Sequence, residues 1–358
     1  MHPAWVDRYS ADALVLLILN DTLPTHILTH KVAPFLFWSH ALDTILIMGG
    51  RAGRLGDSLR HLSSCEYLDA TTGLWNYIAP MTTTRVAGAA VSFDDSVYVL
   101  GGYSAATGYA MRSAERLDLT LMKWFKMPSL HRARYGHCAC EFDGIIYVFG
   151  GQAEAVSEML IPTDTQWREK PPPPVHVSAA RCIRVRDQIA LIGGCIVSDD
   201  AQVGRASDRI YLFDPVMLSW RASPARLHPG RTAFAPTLVD DCLILTGGFA
   251  ITADGEKELC TSQVIPISAI FGERSLSTIT VADLPLPRAG CLTVTLKEPF
   301  LLGGENCDGT NWQLFDSPLK LGSDGIWSAC NLPRLNIART AFAACNAKIK
   351  PRCRRCQL

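Results

Sequence analysis

VYVLGG, residues 97–102, is a run of β-branched, aromatic and aliphatic side chains stopped by two glycines. A short apolar run bounded by glycine reads as a buried strand that ends abruptly. The same ending occurs five more times, as ILIMGG (45–50), IYVFGG (146–151), ALIGG (190–194), LILTGG (243–248) and FLLGG (300–304). Successive doublets lie 43 to 56 residues apart. A recurrence of that size marks a stack of small supersecondary units, none of which buries its apolar faces alone.

Two further landmarks keep the same phase. Trp75, Trp124, Trp167, Trp220 and Trp327 follow the second glycine by 16 to 26 residues, and AERLDLTLMKW (114–124) shows the strand–turn–Trp order between them. The fifth unit has no such Trp, and its stretch from Ile265 to Asp283 is the least regular. Before each doublet comes a small-residue strand opened by arginine. RVAGAAV, RYGHCAC, RCIRV, RTAFAPT, RAGCLTV and RTAFAAC begin at Arg85, Arg134, Arg181, Arg231, Arg288 and Arg339. The first five precede their doublets by 16, 16, 12, 16 and 15 residues.

These landmarks resemble the kelch repeat, with its Arg-opened strand, its apolar strand ending in Gly-Gly, its strand carrying Tyr or Asp, and its outer Trp. The resemblance runs from about Leu42 to Ile349 and implies an all-β, six-bladed kelch β-propeller. The ends predict how the ring closes. Ala33 stands where the first doublet would have its arginine, and Arg339 has no doublet after it. Arg339 to Asn346 is therefore expected to lie beside Thr44 to Met48 and complete blade 1, which removes the free edges of an open array.

The domain reading is an N-terminal segment 1–40, a propeller 41–347 and a basic tail 348–358. ALVLLILNDTLPTHILTHKV (13–32) resembles the closing helices of a BACK domain, which precedes the propeller in kelch-like adaptors. In those proteins a BTB domain recruits a cullin ubiquitin ligase and the propeller selects the substrate. No BTB domain is read in these residues, so that recruitment is not assigned to this chain alone.

Composition narrows the function classes. The 358 residues are 48% hydrophobic and 19% charged, with 34 basic and 34 acidic side chains and a net charge of +0. No global field attracts nucleic acid or membrane. The apolar runs Leu14–Leu19 and Phe35–Trp38 fall short of the ~20 residues of a membrane span. The thirteen cysteines are scattered, and most read as small buried hydrophobes of a reducing compartment, so a cytoplasmic protein is expected. Cys353 and Cys356 form a CxxC without the second pair that a structural zinc site needs. No GxSxG, HExxH or phosphate-loop motif occurs, and the Tyr and His set of the copper-oxidase kelch proteins is not found. His137 is read as core. No enzyme activity, catalytic residue, metal or cofactor is assigned.

The expected activity is recognition of a protein partner. Six equivalent arginines would ring one mouth of the channel and receive an acidic peptide or loop. Ser64, Ser113, Ser157, Ser207 and Ser262 open the third strands. By the adaptor resemblance, Ser64, Ser113 and Ser207 would share the partner site with the arginines. The resemblance implies substrate recognition for a cullin-type ubiquitin ligase; the alternative is an actin-binding or scaffold kelch protein.

Overall fold

The structure is a computed structural model that describes residues 42–53, 60–69, 72–152, 156–197, 204–252, 255–274, 279–307 and 312–349. The BACK-like stretch and the CxxC pair lie outside them.

Six small antiparallel sheets account for the six repeats. Blade 2 shows the pattern, with an inner strand Ala89–Phe93, a second strand Ser96–Leu100 ending at the glycines, a third strand Ala114–Asp118 and an outer strand Lys123–Met127. Turn chemistry at one end is local. Asp94, Asp143, Arg186 and Asp240 take left-handed φ between the first two strands. Asp118 and Asp214 accept backbone N–H bonds at the turns before the outer strands, which is why the third strand ends in aspartate. Blade 1 takes its inner strand, Ala343–Ile349, from the far end of the chain and sets it beside Leu42–Met48, closing the ring as the repeat phase requires.

The core lies between the sheets. Ile192 and Leu212 of blade 4 pack with Leu243 and Leu245 of blade 5, and comparable clusters join blades 2 with 3, 3 with 4, 5 with 6 and 6 with 1. The repeat tryptophans bridge the same gaps. The indole N–H groups of Trp75, Trp124, Trp167 and Trp220 donate to the carbonyls of Pro333, Ala79, Pro128 and Pro171, where the preceding blade ends. Trp327 has no such partner. Its neighbour, blade 5, has three strands, and after Ser262–Pro266 the chain turns into the short helix Ile267–Phe271. That helix docks on blade 4, where Ser223 donates to the Ile270 carbonyl at 2.7 Å.

Around the axis the blades are joined by a closed cycle of backbone hydrogen bonds. Ala87, Gly136, Ala179, Ala233, Gly290 and Ala341 each donate an N–H to the carbonyl of the preceding member, and Ala87 donates to Ala341. All six have φ between 49° and 64°. Only small residues stand there, because a left-handed conformation costs a side chain roughly 1–2 kcal/mol and crowding adds to it. Replacing Ala233 with Gly should therefore hold or raise the urea midpoint. Ala233→Val should cost about 1–3 kcal/mol in the same titration, and a loss of equal size in both variants would show that the φ constraint is not what selects alanine.

Candidate functional site

The arginines named from the sequence are not at a mouth. Arg85, Arg134, Arg231, Arg288 and Arg339 are 0–4% exposed, with Arg134, Arg231 and Arg339 among the most enclosed large side chains. Each is a latch inside its own blade. Arg134 donates to the carbonyls of Gly150 at 2.9 Å and Val156 at 3.0 Å and pairs with Glu158 at 2.7 Å. Arg85 repeats this with Gly101, Ser113 and Glu115, and Arg339 with Gly49, Ser64 and Glu66. The second glycine of each doublet returns a bond to the next blade, as Gly102 N–H does to the Arg134 carbonyl at 2.8 Å. The first glycine is required as well: a Cβ on Gly101, at φ +53°, would meet that same Arg134 carbonyl at 2.7 Å.

The acids were missed by the sequence reading, although Ser-x-Glu is visible at 64–66 and 113–115, and Val-Ser-Glu at 156–158. Each carboxylate also fixes the loop three residues before its arginine. Thr82, His131 and Asn336 donate backbone N–H groups to Glu115, Glu158 and Glu66 at 2.8, 2.7 and 3.0 Å. In blade 5 Gln263 takes that place and accepts from the His228 N–H at 2.9 Å. In blades 4 and 6 the acceptor position holds Arg209 or Leu319, and the donor position holds Pro174 or Pro285, which has no N–H to satisfy. Among the described residues neither Arg231 nor Arg288 thus has a paired carboxylate, and burial pushes each guanidinium down to about 10. Arg288 lies over the Phe315 ring at 3.9 Å instead.

Ser64 and Ser113 do meet their arginines, through Arg339 Nη2 at 3.4 Å and Arg85 Nη2 at 2.9 Å. Ser207 is buried, and its hydroxyl accepts the Arg209 N–H. In register with them stand Val156, Thr261 and Ser317, so Ser157 and Ser262 are one residue out of phase.

Arg181 is also out of phase. Val177 occupies the latch position of blade 4, its carbonyl accepting the Gly151 N–H at 2.9 Å. Arg181 stands four residues later, where the other blades have Ala89, Cys138, Ala235, Leu292 and Ala343. It opens the inner strand Arg181–Val185 and, with His137, Cys138, Cys182, Thr293 and Phe342, lines an axial cavity of about 220 Å³. Its Nε donates to the Phe234 carbonyl at 2.8 Å.

The thiols near the axis are poor nucleophiles, since burial pushes Cys140 and Cys345 up to about 12 and Cys291 to about 11. Among the described residues no group of three or more His, Cys, Asp or Glu is arranged to hold a metal ion, and no helix is long and apolar enough to cross a membrane.

The loops at the Gly-Gly end carry a different feature. His61, Tyr103 and Tyr135, from blades 1, 2 and 3, form an edge-to-face row with ring centroids 5.7 and 5.8 Å apart. All three are half-buried, and Tyr109, on the hairpin that Tyr103 opens, is 75% exposed. Arg60 and Arg112 are exposed on the same loops.

Residues 84–131 match the family model described as "Kelch motif". With six blades of this pattern, the match supports a kelch-repeat propeller. A solved propeller, titled "Structure of YjhT", is similar over 80% of this chain and 97% of its own, with a TM-score of 0.61 and 16% identity, a likeness of fold. No match was found among curated proteins.

Two outcomes test the latch and the core histidine. Glu158→Gln leaves Arg134 buried without its counter-charge and should cost about 3–5 kcal/mol in chemical denaturation, while Arg134→Met with Glu158→Leu should recover much of that loss. A double variant as unstable as the single one would show that the ion pair itself carries the stability. His137 fills the place of Phe234 and Phe342 against the preceding blade's first glycine. Burial, then the Arg134 charge, pushes it down to about 3. Its neutral form is favoured on folding, so this contribution is full above the ordinary value of 6.5 and is lost as pH falls from there towards 3, by up to ~1.4 kcal/mol per pH unit. His137→Phe should remove that part of the acid sensitivity in urea titrations at pH 7 and pH 4.5.

Proposed function

We propose that this propeller is a protein-interaction module that binds its partner at the Gly-Gly end of blades 1 to 3. The observation that carries the reading is the row His61, Tyr103 and Tyr135, which spans three blades without closing into the core. In each four-stranded sheet the loops after the second strand and after the outer strand emerge at one end, so three repeats contribute to one surface. Half-buried aromatic rings held by their neighbours lose little freedom on contact and are enriched where binding energy concentrates. Arg60 and Arg112 beside them favour an acidic partner segment. At the opposite end the exposed apolar residues Leu74, Leu121, Met217 and Ile326 sit on turns of four different blades, an arrangement common on any soluble surface.

Within this reading the partner is a substrate presented to a cullin-type ubiquitin ligase, as the resemblance to kelch-like adaptors implies, with a BTB domain supplying recruitment. Affinity capture from lysate, comparing the wild type with Tyr103→Ala/Tyr135→Ala and with Leu121→Ala/Met217→Ala, tests it. Specific partners lost with the tyrosine pair alone support the surface, and ubiquitin-ligase clients among them support the adaptor role. Partners that survive the tyrosine changes but vanish with the turn variant would move recognition to the outer turns and favour a scaffold or actin-binding role.

A further inference from the structure

Among the described residues the guanidinium of Arg181 is a cation without a counter-charge, in a cavity whose other lining residues, His137 and Thr293 apart, are small or apolar. It is not a displaced copy of the latch, because it bonds neither its own blade's glycine carbonyl nor a third-strand acid. One of its five N–H donors reaches Phe234. Among the described residues no carboxylate pairs with it, its two terminal nitrogens have no hydrogen-bond partner, and the charged or titratable groups that bear on it are the thiols Cys138, Cys182 and Cys291. The residue keeps part of its surface exposed and lines the cavity. His137, on the same lining, is buried with neither ring nitrogen bonded.

We infer that the axial cavity is a binding site for a small organic carboxylate, held by the terminal nitrogens of Arg181. A planar guanidinium offers two parallel N–H bonds that match a carboxylate. A volume of about 220 Å³ has room for a four-carbon acid. Cys138, Cys182, Ala89, Ala343 and Leu292 offer its carbon chain an apolar wall. This site is separate from the aromatic row, so a small acid and a protein partner need not compete.

Succinate is the probe, succinamide its uncharged counterpart and sodium chloride the ionic-strength control. Thermal unfolding of the full chain should show a midpoint that rises with succinate concentration, and neither control should reproduce it. Arg181→Met should fold and lose the response, and Arg181→Lys, which keeps the charge but not the fork, should bind at least fivefold more weakly. Equilibrium dialysis of labelled succinate against the wild type gives a readout independent of variant folding. No binding up to about 10 mM would overturn the site, as would an equal response in wild type and Arg181→Met. A short Asp-Glu peptide forms the last arm. If it displaces succinate while free succinate binds more weakly than the peptide, the carboxylate belongs to a protein chain and the small-acid assignment fails.

Discussion

The closed cycle of six amides around the axis governs the rest of this molecule. Ala87, Gly136, Ala179, Ala233, Gly290 and Ala341 each give and receive one backbone hydrogen bond, so none can tilt without breaking bonds to two blades. A cycle has no terminal member, and bonds in such an array polarise one another. The geometry propagates outward through the chain. The residue two positions earlier, an arginine in five blades, presents its carbonyl to the neighbouring glycine doublet and its side chain to its own. A left-handed amide, a latch and a glycine pair thus recur together, because each makes the next one possible.

The latch shows how a buried cation is tolerated in several ways within one chain. A guanidinium is weakly hydrated and rich in donors, so carbonyls satisfy much of it. In blades 1 to 3 a glutamate neutralises it and also receives the amide of the preceding loop. Blade 5 keeps the amide bond through Gln263 and leaves Arg231 to neutral oxygens, while blade 6 offers Arg288 the face of Phe315. Blade 4 has dispensed with cation and acid together. Proline at positions 174 and 285 fits this scheme: where no acceptor exists, the loop carries no N–H that would need one.

The strand order, the inter-blade tryptophans and the closure of blade 1 were legible because they follow from period and phase. Whether an arginine faces solvent or core was not, since that depends on acids 30 and 24 residues along the chain in blades 2 and 3, and 273 residues back in blade 1, whose meaning appears only once the third strand is laid beside the second. Arg181 misled for a related reason. The amide cycle holds the latch 15 or 16 residues before its doublet, and a gap of 12 already placed this arginine four residues too late. The row His61, Tyr103 and Tyr135 draws on three different repeat positions, so no comparison of repeats with one another would align it.

Differences between blades are where function has room, because the shared positions are occupied by the ring itself. Three departures stand out: the aromatic row on blades 1 to 3, the helix that replaces the outer strand of blade 5, and Arg181. The helix has a structural account, since it covers the blade 4 face through Ile267 and Ile270. Arg181 has less of one. If it served only to tie blade 4 to the Phe234 carbonyl, a single neutral donor would do so without placing a charge beside thiols and alanines, where an uncompensated ion is costly. Five blades solve the same inner-strand position with a small or apolar side chain. The sixth holds the one residue type whose remaining donors are arranged as a fork, and it lines an axial volume large enough for a small acid.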